Sequence, residues 1–143
     1  MNAESEILKL IHRYCYAIDA GDFETFGKLL EHAEWTVEGK PPGGSGISNI
    51  ILYPDGTPRT KHTVSNTTLE VNSVQGTATA HSYVTIFQQT SELPLQPIYA
   101  GDYFDEFERV RGLWRFAKRD IRASLIGDMS AHLKNPSATV PGA

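Results

Sequence analysis

The sequence predicts an α+β domain in which two helices come first, a meander of long antiparallel strands follows, and the sheet curls around the helices. Two observations carry the prediction. The opening of the chain repeats apolar side chains at helical spacing, and most of it beyond residue 60 is rich in Thr, Val, Ile, Tyr and Phe in runs separated by turn residues. No internal repeat and no dividing linker interrupts that order, so one domain is expected over residues 1–125. Residues 126–143 lose strand character and carry Pro, Ser and Gly, which reads as a C-terminal tail or an arm that contacts a neighbouring subunit.

Each element has its own signal. Ile7, Leu8, Ile11, Cys15 and Ile18 form one apolar stripe, so a first helix is expected over 3–20, with Asn2 as its cap and Gly21 at its stop. Asp22 caps a second helix over 23–30, where Phe26, Leu29 and Leu30 repeat the spacing, and the two form a hairpin. Residues 34–38 alternate polar and apolar, as a half-buried strand does. Lys40-Pro-Pro-Gly-Gly-Ser-Gly46 reads as a loop, 47–53 as a short third helix, and Pro54-Asp55-Gly56 as a turn. Strands are expected at 61–71, 77–89, 98–110 and 113–125, the last two joined by Arg111-Gly112.

Composition bounds the partners. A chain of 143 residues buries a real core, and 40% hydrophobic with 21% charged residues describes an ordinary globular protein. The net charge of −4, with no basic cluster, argues against nucleic acid and against an anionic membrane surface. Cys15 is the only cysteine, which leaves no internal disulfide and no cysteine-based metal cluster. The acidic start and the lack of any membrane-length apolar run lead us to expect a cytoplasmic protein.

Asp19 is the residue around which a site would form. It follows Ile11 and Cys15 in steps of four, each roughly 400° of helical rotation, so its carboxylate stays near the apolar stripe and points inward. A buried carboxylate needs a partner, and His62 is the candidate.

Four stretches in this order carry a resemblance: Arg13-Tyr14-x-x-Ala17-Ile18-Asp19-x-Gly21-Asp22, Ala33-Glu34-Trp35-Thr36-Val37-Glu38-Gly39, His62-x-x-Ser65-Asn66, and Gly101-x-Tyr103-x-Asp105-x-Phe107-Glu108-Arg109-x-x-Gly112-x-Trp114-Arg115-Phe116. Up to Ser124 the chain resembles a SnoaL-like domain of the nuclear transport factor 2-like superfamily. Within it the chain is similar to hexachlorocyclohexane dehydrochlorinase and, more distantly, to scytalone dehydratase and bile-acid dehydratase. The resemblance implies a cone-shaped α+β barrel with the N-terminal helices packed in a strongly curved, mostly antiparallel sheet. It also implies a homo-oligomer, dimer or trimer, and elimination of water or HCl by an Asp-His dyad with no cofactor, the matching positions being Asp19 and His62.

The chemistry of those residue types agrees. Elimination needs a base near neutral pKa to take a proton from carbon, and a carboxylate on the other ring nitrogen fixes the tautomer and stabilises the imidazolium. Tyr14 shares the spacing of a tyrosine implicated in bile-acid dehydratase, although five residues rotate it roughly 140° away from Asp19. Trp35, Tyr83, Tyr103 and Phe104, with Phe87, supply aromatic surface to wall a pocket for a small apolar or aromatic molecule. His81 together with His62 suggests a metal pair, but no third ligand has a recognisable spacing, so no metal is expected. The glycines at 43–46 lack the Lys-Ser/Thr of a phosphate loop and read as a flexible loop at the pocket mouth; His12, His32 and His132 read as surface residues.

Three readings follow. The first is a cofactor-independent lyase of the dehydratase or dehydrohalogenase type. The second is an isomerase or hydrolase on the same scaffold, and the third a non-catalytic small-ligand-binding, oligomer-forming domain. Retention of both Asp19 and His62 favours the first two. No positive residue to hold a departing halide is evident in the sequence.

Overall fold

The computed structural model describes residues 2–42 and 46–135. Most of the glycine loop expected at a pocket mouth, and residues 136–143 of the C-terminal segment, lie outside them.

Helix α1 (Ala3–Asp19) begins where Asn2 Oδ1 accepts a hydrogen bond from the Ser5 N–H at 2.8 Å. As in most protein helices, its stability comes chiefly from packing of its apolar face. Ile7, Ile11 and Ile18 are fully buried, each contributing about 1.5–3 kcal/mol relative to exposure. The helix stops as expected. Gly21, at φ +70°, donates to Ile18 O, and Asp22 N–H reaches Ala17 O. A Cβ at Gly21 would stand 2.1 Å from Gly56 O, so this end of the helix is pressed directly on the turn that precedes the second strand. Helix α2 (Phe23–Leu29) starts at Asp22, whose carboxylate accepts from Thr25 N and Oγ1.

Five strands follow: β1 (Glu34–Val37), β2 (Thr60–Asn72), β3 (Thr77–Gln88), β4 (Gln96–Val110) and β5 (Leu113–Ile126). They form one curved, unclosed sheet in the order β1-β5-β4-β3-β2, in which β2 to β5 are an antiparallel meander and β1 pairs in parallel with β5. The β4–β5 turn has both central residues at positive φ, Arg111 at 54° and Gly112 at 82°, the backbone that suits the twist of a tight hairpin. Register shifts between Ser65 and Thr68, at Ala100/Gly101 and at Glu106/Phe107 interrupt the ladders, and such shifts bend strands. At one of them a Cβ on Gly101 would stand 2.3 Å from Arg122 O and 2.6 Å from Tyr99 Oη, so the crease accepts only glycine. The curve encloses α1, and together they make the expected α+β cone.

Two expectations change. The third helix is only a 3-10 turn, Ile47–Asn49. Ile50 then bridges Leu133, Ile51 N–H bonds His132 O, and Pro54 steers Tyr53 away from helical backbone. The stretch expected as a tail or subunit-contact arm turns back onto the cone over residues 127–135, where Met129, His132 and Leu133 are buried.

Candidate functional site

The end of α1 meets the start of β2. Asp19 Oδ1 lies 2.6 Å from His62 Nδ1 and accepts from Thr60 Oγ1 at 2.8 Å, while Oδ2 accepts from the His62 backbone N–H at 2.7 Å. The backbone and side chain of one residue thus grip the two oxygens of a single carboxylate. With the His62 side chain fully buried and that of Asp19 only 14% exposed, this contact is shielded from water far better than a surface ion pair. The short contact assigns the Nδ1 proton of a neutral ring to Asp19. Nε2 is then left with a lone pair, buried and without a hydrogen-bond partner among the described residues.

A second polar group lies inside the cone, on β4 and β5. Arg119 is fully buried and donates through Nε and Nη2 to the two oxygens of Asp105, at 2.7 and 2.8 Å. Its guanidinium carbon stacks 3.8 Å from the Tyr103 ring centre and 4.3 Å from that of Tyr14. Burial opposes the charge on Arg119, but Asp105 outweighs it and raises its pKa overall. Burial raises the Asp105 carboxyl, with Arg119 pulling it partly back. Arg119 Nη1, Tyr14 Oη and Trp35 Nε1 are buried without partners in hydrogen-bond geometry, although Arg119 and Trp35 lie close enough to favour the Tyr14 phenolate. Burial is the larger influence and pushes the Tyr14 phenol up, so it stays protonated. The Cys15 thiol, pushed up to about 12 chiefly by burial, is no nucleophile at neutral pH.

Of the residues singled out from sequence, Asp19 and His62 are in contact, and Tyr14 and Tyr103 stack on Arg119 with Trp35 beside Tyr14. Tyr14 packs against Phe26 and Tyr103. Tyr83 and Phe104 are 50% and 44% exposed on the outer face of the sheet, opposite to the inward-facing Ser82, Val84, Tyr103 and Asp105. They flank His81, which stacks on Phe104 and bonds Asp102, so His81 and His62 lie on opposite faces and share no metal. No group of three metal-ligating side chains occurs among the described residues. His12 and His32 are exposed, but His132 is fully buried, contrary to the expectation that it lies on the surface. A depression of about 270 Å³ between α1 and β2 reaches His62 and is also lined by His12, Cys15, Tyr16, Thr63 and Val64.

Sequence reasoning missed Arg119 and His132. Arg119 sits in Lys118-Arg119-Asp120-Ile121-Arg122, whose charges read as a solvated strand. Counting back from the Val110–Leu113 pair would set Asp105 opposite Lys118, and only the register shift at Glu106/Phe107 sets it opposite Arg119.

A curved sheet around an N-terminal helix, with a carboxylate and an imidazole paired at its edge, defines a class within the cystatin-like α+β folds. The chain belongs to the SnoaL-like domain family, whose profile matches residues 1–120. Among solved structures it is similar to an NTF2-like protein with a cystatin-like fold from Novosphingobium aromaticivorans, at 24% identity and TM-score 0.65 over 90% of this chain and 85% of that one. It is also similar to a putative scytalone dehydratase from the same organism, at 22% identity and TM-score 0.62 over 96% and 94%. LinA matches at 21% identity and TM-score 0.64 over 99% and 93%. No curated protein matches the chain. Among the described residues no helix is long and apolar enough to cross a membrane.

Proposed function

We propose that this protein is a cofactor-independent lyase, of the dehydratase or dehydrohalogenase type, acting on a small apolar or aromatic molecule with His62 as general base and Asp19 as its orienting partner. The observation that carries the reading is the 2.6 Å Asp19–His62 contact, which leaves Nε2 unpartnered. In the proposed step Nε2 takes a proton from carbon and the C–H electron pair becomes the new π bond. The neighbouring carbon releases its leaving group with the bonding pair. Asp19 stabilises the imidazolium, which returns its proton to a departing hydroxide as water, or to solvent when a halide departs.

Arg119 Nη1–H and the Tyr14 hydroxyl are the donors assigned to the leaving group, a preorganised pair in a water-poor interior. Tyr103 stacks on Arg119 and Trp35 lies beside Tyr14, and both are assigned to the walls of the substrate space.

The test is elimination from a panel of chlorinated and hydroxylated cyclic compounds, followed by chloride release or alkene absorbance. His62→Ala should abolish turnover with the fold retained, and Asp19→Asn should lose nearly as much because the two act as a unit. The double variant should lose little more than either single one; independent, additive losses would sink the dyad.

We also propose that a second copy covers the outer sheet face, where Tyr83, Phe104 and Leu125 are exposed. Sedimentation at micromolar concentration should show a dimer or trimer. A monomer would count against this use of the face.

A further inference from the structure

Residues 127–135 are held by the buried side chains of Met129 and Leu133 and by hydrogen bonds that are mostly from the backbone. Ala131 O accepts from Tyr53 Oη and Gln88 Nε2, His132 O accepts from Ile51 N–H, and Lys134 N–H and Asn135 N–H donate to Asn49. Nothing in that set uses the imidazole of His132. The ring is nevertheless fully buried, and both of its nitrogens lack a hydrogen-bond partner among the described residues.

Its location follows from the sheet register. Gln88, which holds Ala131, pairs with Thr60, and Thr60 Oγ1 donates to Asp19. The next inward pair along the same ladder is His62 with Ile86. The segment therefore sets His132 at the end of the cone where the dyad lies. Consistent with this, His62 and Asp19 are the charged groups that act on it: burial first, then His62, lowers its pKa to about 3, and Asp19 opposes. Three buried imidazole nitrogens, one on His62 and two on His132, thus lack partners among the described residues at one end of the cone. A side chain present only for packing would avoid that desolvation cost by being apolar.

We propose that His132 is a second ligand-contacting residue of this site, and that its ring receives a hydroxyl group of the small molecule held against His62. The proposal rests on the reading of Asp19–His62 as the working centre and narrows its ligand class. A neutral imidazole has one N–H donor and one nitrogen acceptor. The two point apart, so a hydroxyl engages one of them at a time, accepting from the N–H or donating to the bare nitrogen; a halide can only accept, so His132 favours hydroxylated ligands.

The probe is phenol, with benzene as the control that lacks the hydroxyl, on the whole chain carrying ring-labelled histidine. Phenol at millimolar concentration should shift the ring-nitrogen NMR signals of His132 as well as His62, and benzene should leave those of His132 in place. His132→Phe, which keeps a ring without hydrogen-bonding atoms, should weaken phenol about tenfold and change benzene affinity less than about twofold. A His132 signal that phenol does not move, or a His132→Phe variant that binds phenol as the parent does, overturns the proposal. The NMR measurement uses the unaltered chain and stands even if the variant fails to fold. His62→Ala should keep the His132 response to phenol, so a catalytic failure of the dyad and a failure of this contact give different results.

Discussion

Acid should unfold this protein partly through one buried histidine. His132 has a folded-state pKa of about 3, lowered from 6.5 mainly by burial. As pH falls through 6.5 the unfolded chain takes up a proton on this ring that the folded chain refuses until about pH 3. Between those values the unfolded state binds more protons, so stability rises with pH, is full above 6.5 and is lost progressively below it. At pH 4 the unfolded ring has been protonated over about 2.5 pH units, and at 1.36 kcal/mol each the loss relative to pH 7 is about 3 kcal/mol. That is about a fifth to three fifths of the about 5–15 kcal/mol that holds a typical domain together. The assay is urea denaturation at several pH values between 7 and 4 for the parent chain and for His132→Leu. Carboxyls held low by hydrogen bonds, such as Asp22 by Thr25 and Asp128 by Ser130, lose stability in both proteins and cancel in the difference. The variant should lack most of that about 3 kcal/mol of acid sensitivity. Parallel curves for the two proteins would refute the argument.

Gly21→Ala should destabilise by more than the about 1 kcal/mol usual for left-handed backbone, because its Cβ would stand 2.1 Å from Gly56 O; a melting temperature within a degree of the parent would show that the helix end is not pinned there. Asp105→Asn leaves the buried Arg119 guanidinium without its counter-charge and should cost about 3–5 kcal/mol by chemical denaturation. A loss below about 1 kcal/mol would mean that water or another group already balances Arg119.

Much of this protein was legible in its sequence, because the informative signals are local. Periodicity located α1, cap residues located both helix starts, and runs of β-branched and aromatic residues located the four long strands within a residue or two. The inward aim of Asp19 follows from helical rotation alone, and its contact with His62 was anticipated through resemblance. Where local signals compete, tertiary contacts decided. Ile50 and Ile51 read as helix, yet the returning segment offers Leu133 and His132 O as partners, and the pre-proline backbone of Tyr53 agrees with extension.

Face assignment was the part that no local pattern settled. Side chains alternate with period two, so one extra residue in a strand exchanges its faces from that point onward. The shift at Glu106/Phe107 turns Arg119 rather than Lys118 inward onto Asp105 and puts a cation inside the cone. His132 shows the same limit over a longer range. Its own neighbours mark it as part of a polar tail, and only the return of the segment onto Gln88, Tyr53 and Ile51 buries it. The sequence by itself determined the elements and the acid at the end of α1, since those depend on residues a few positions apart. The tertiary structure decided which charged and aromatic side chains share the interior, since that depends on register and chain return, which couple residues far apart in the chain.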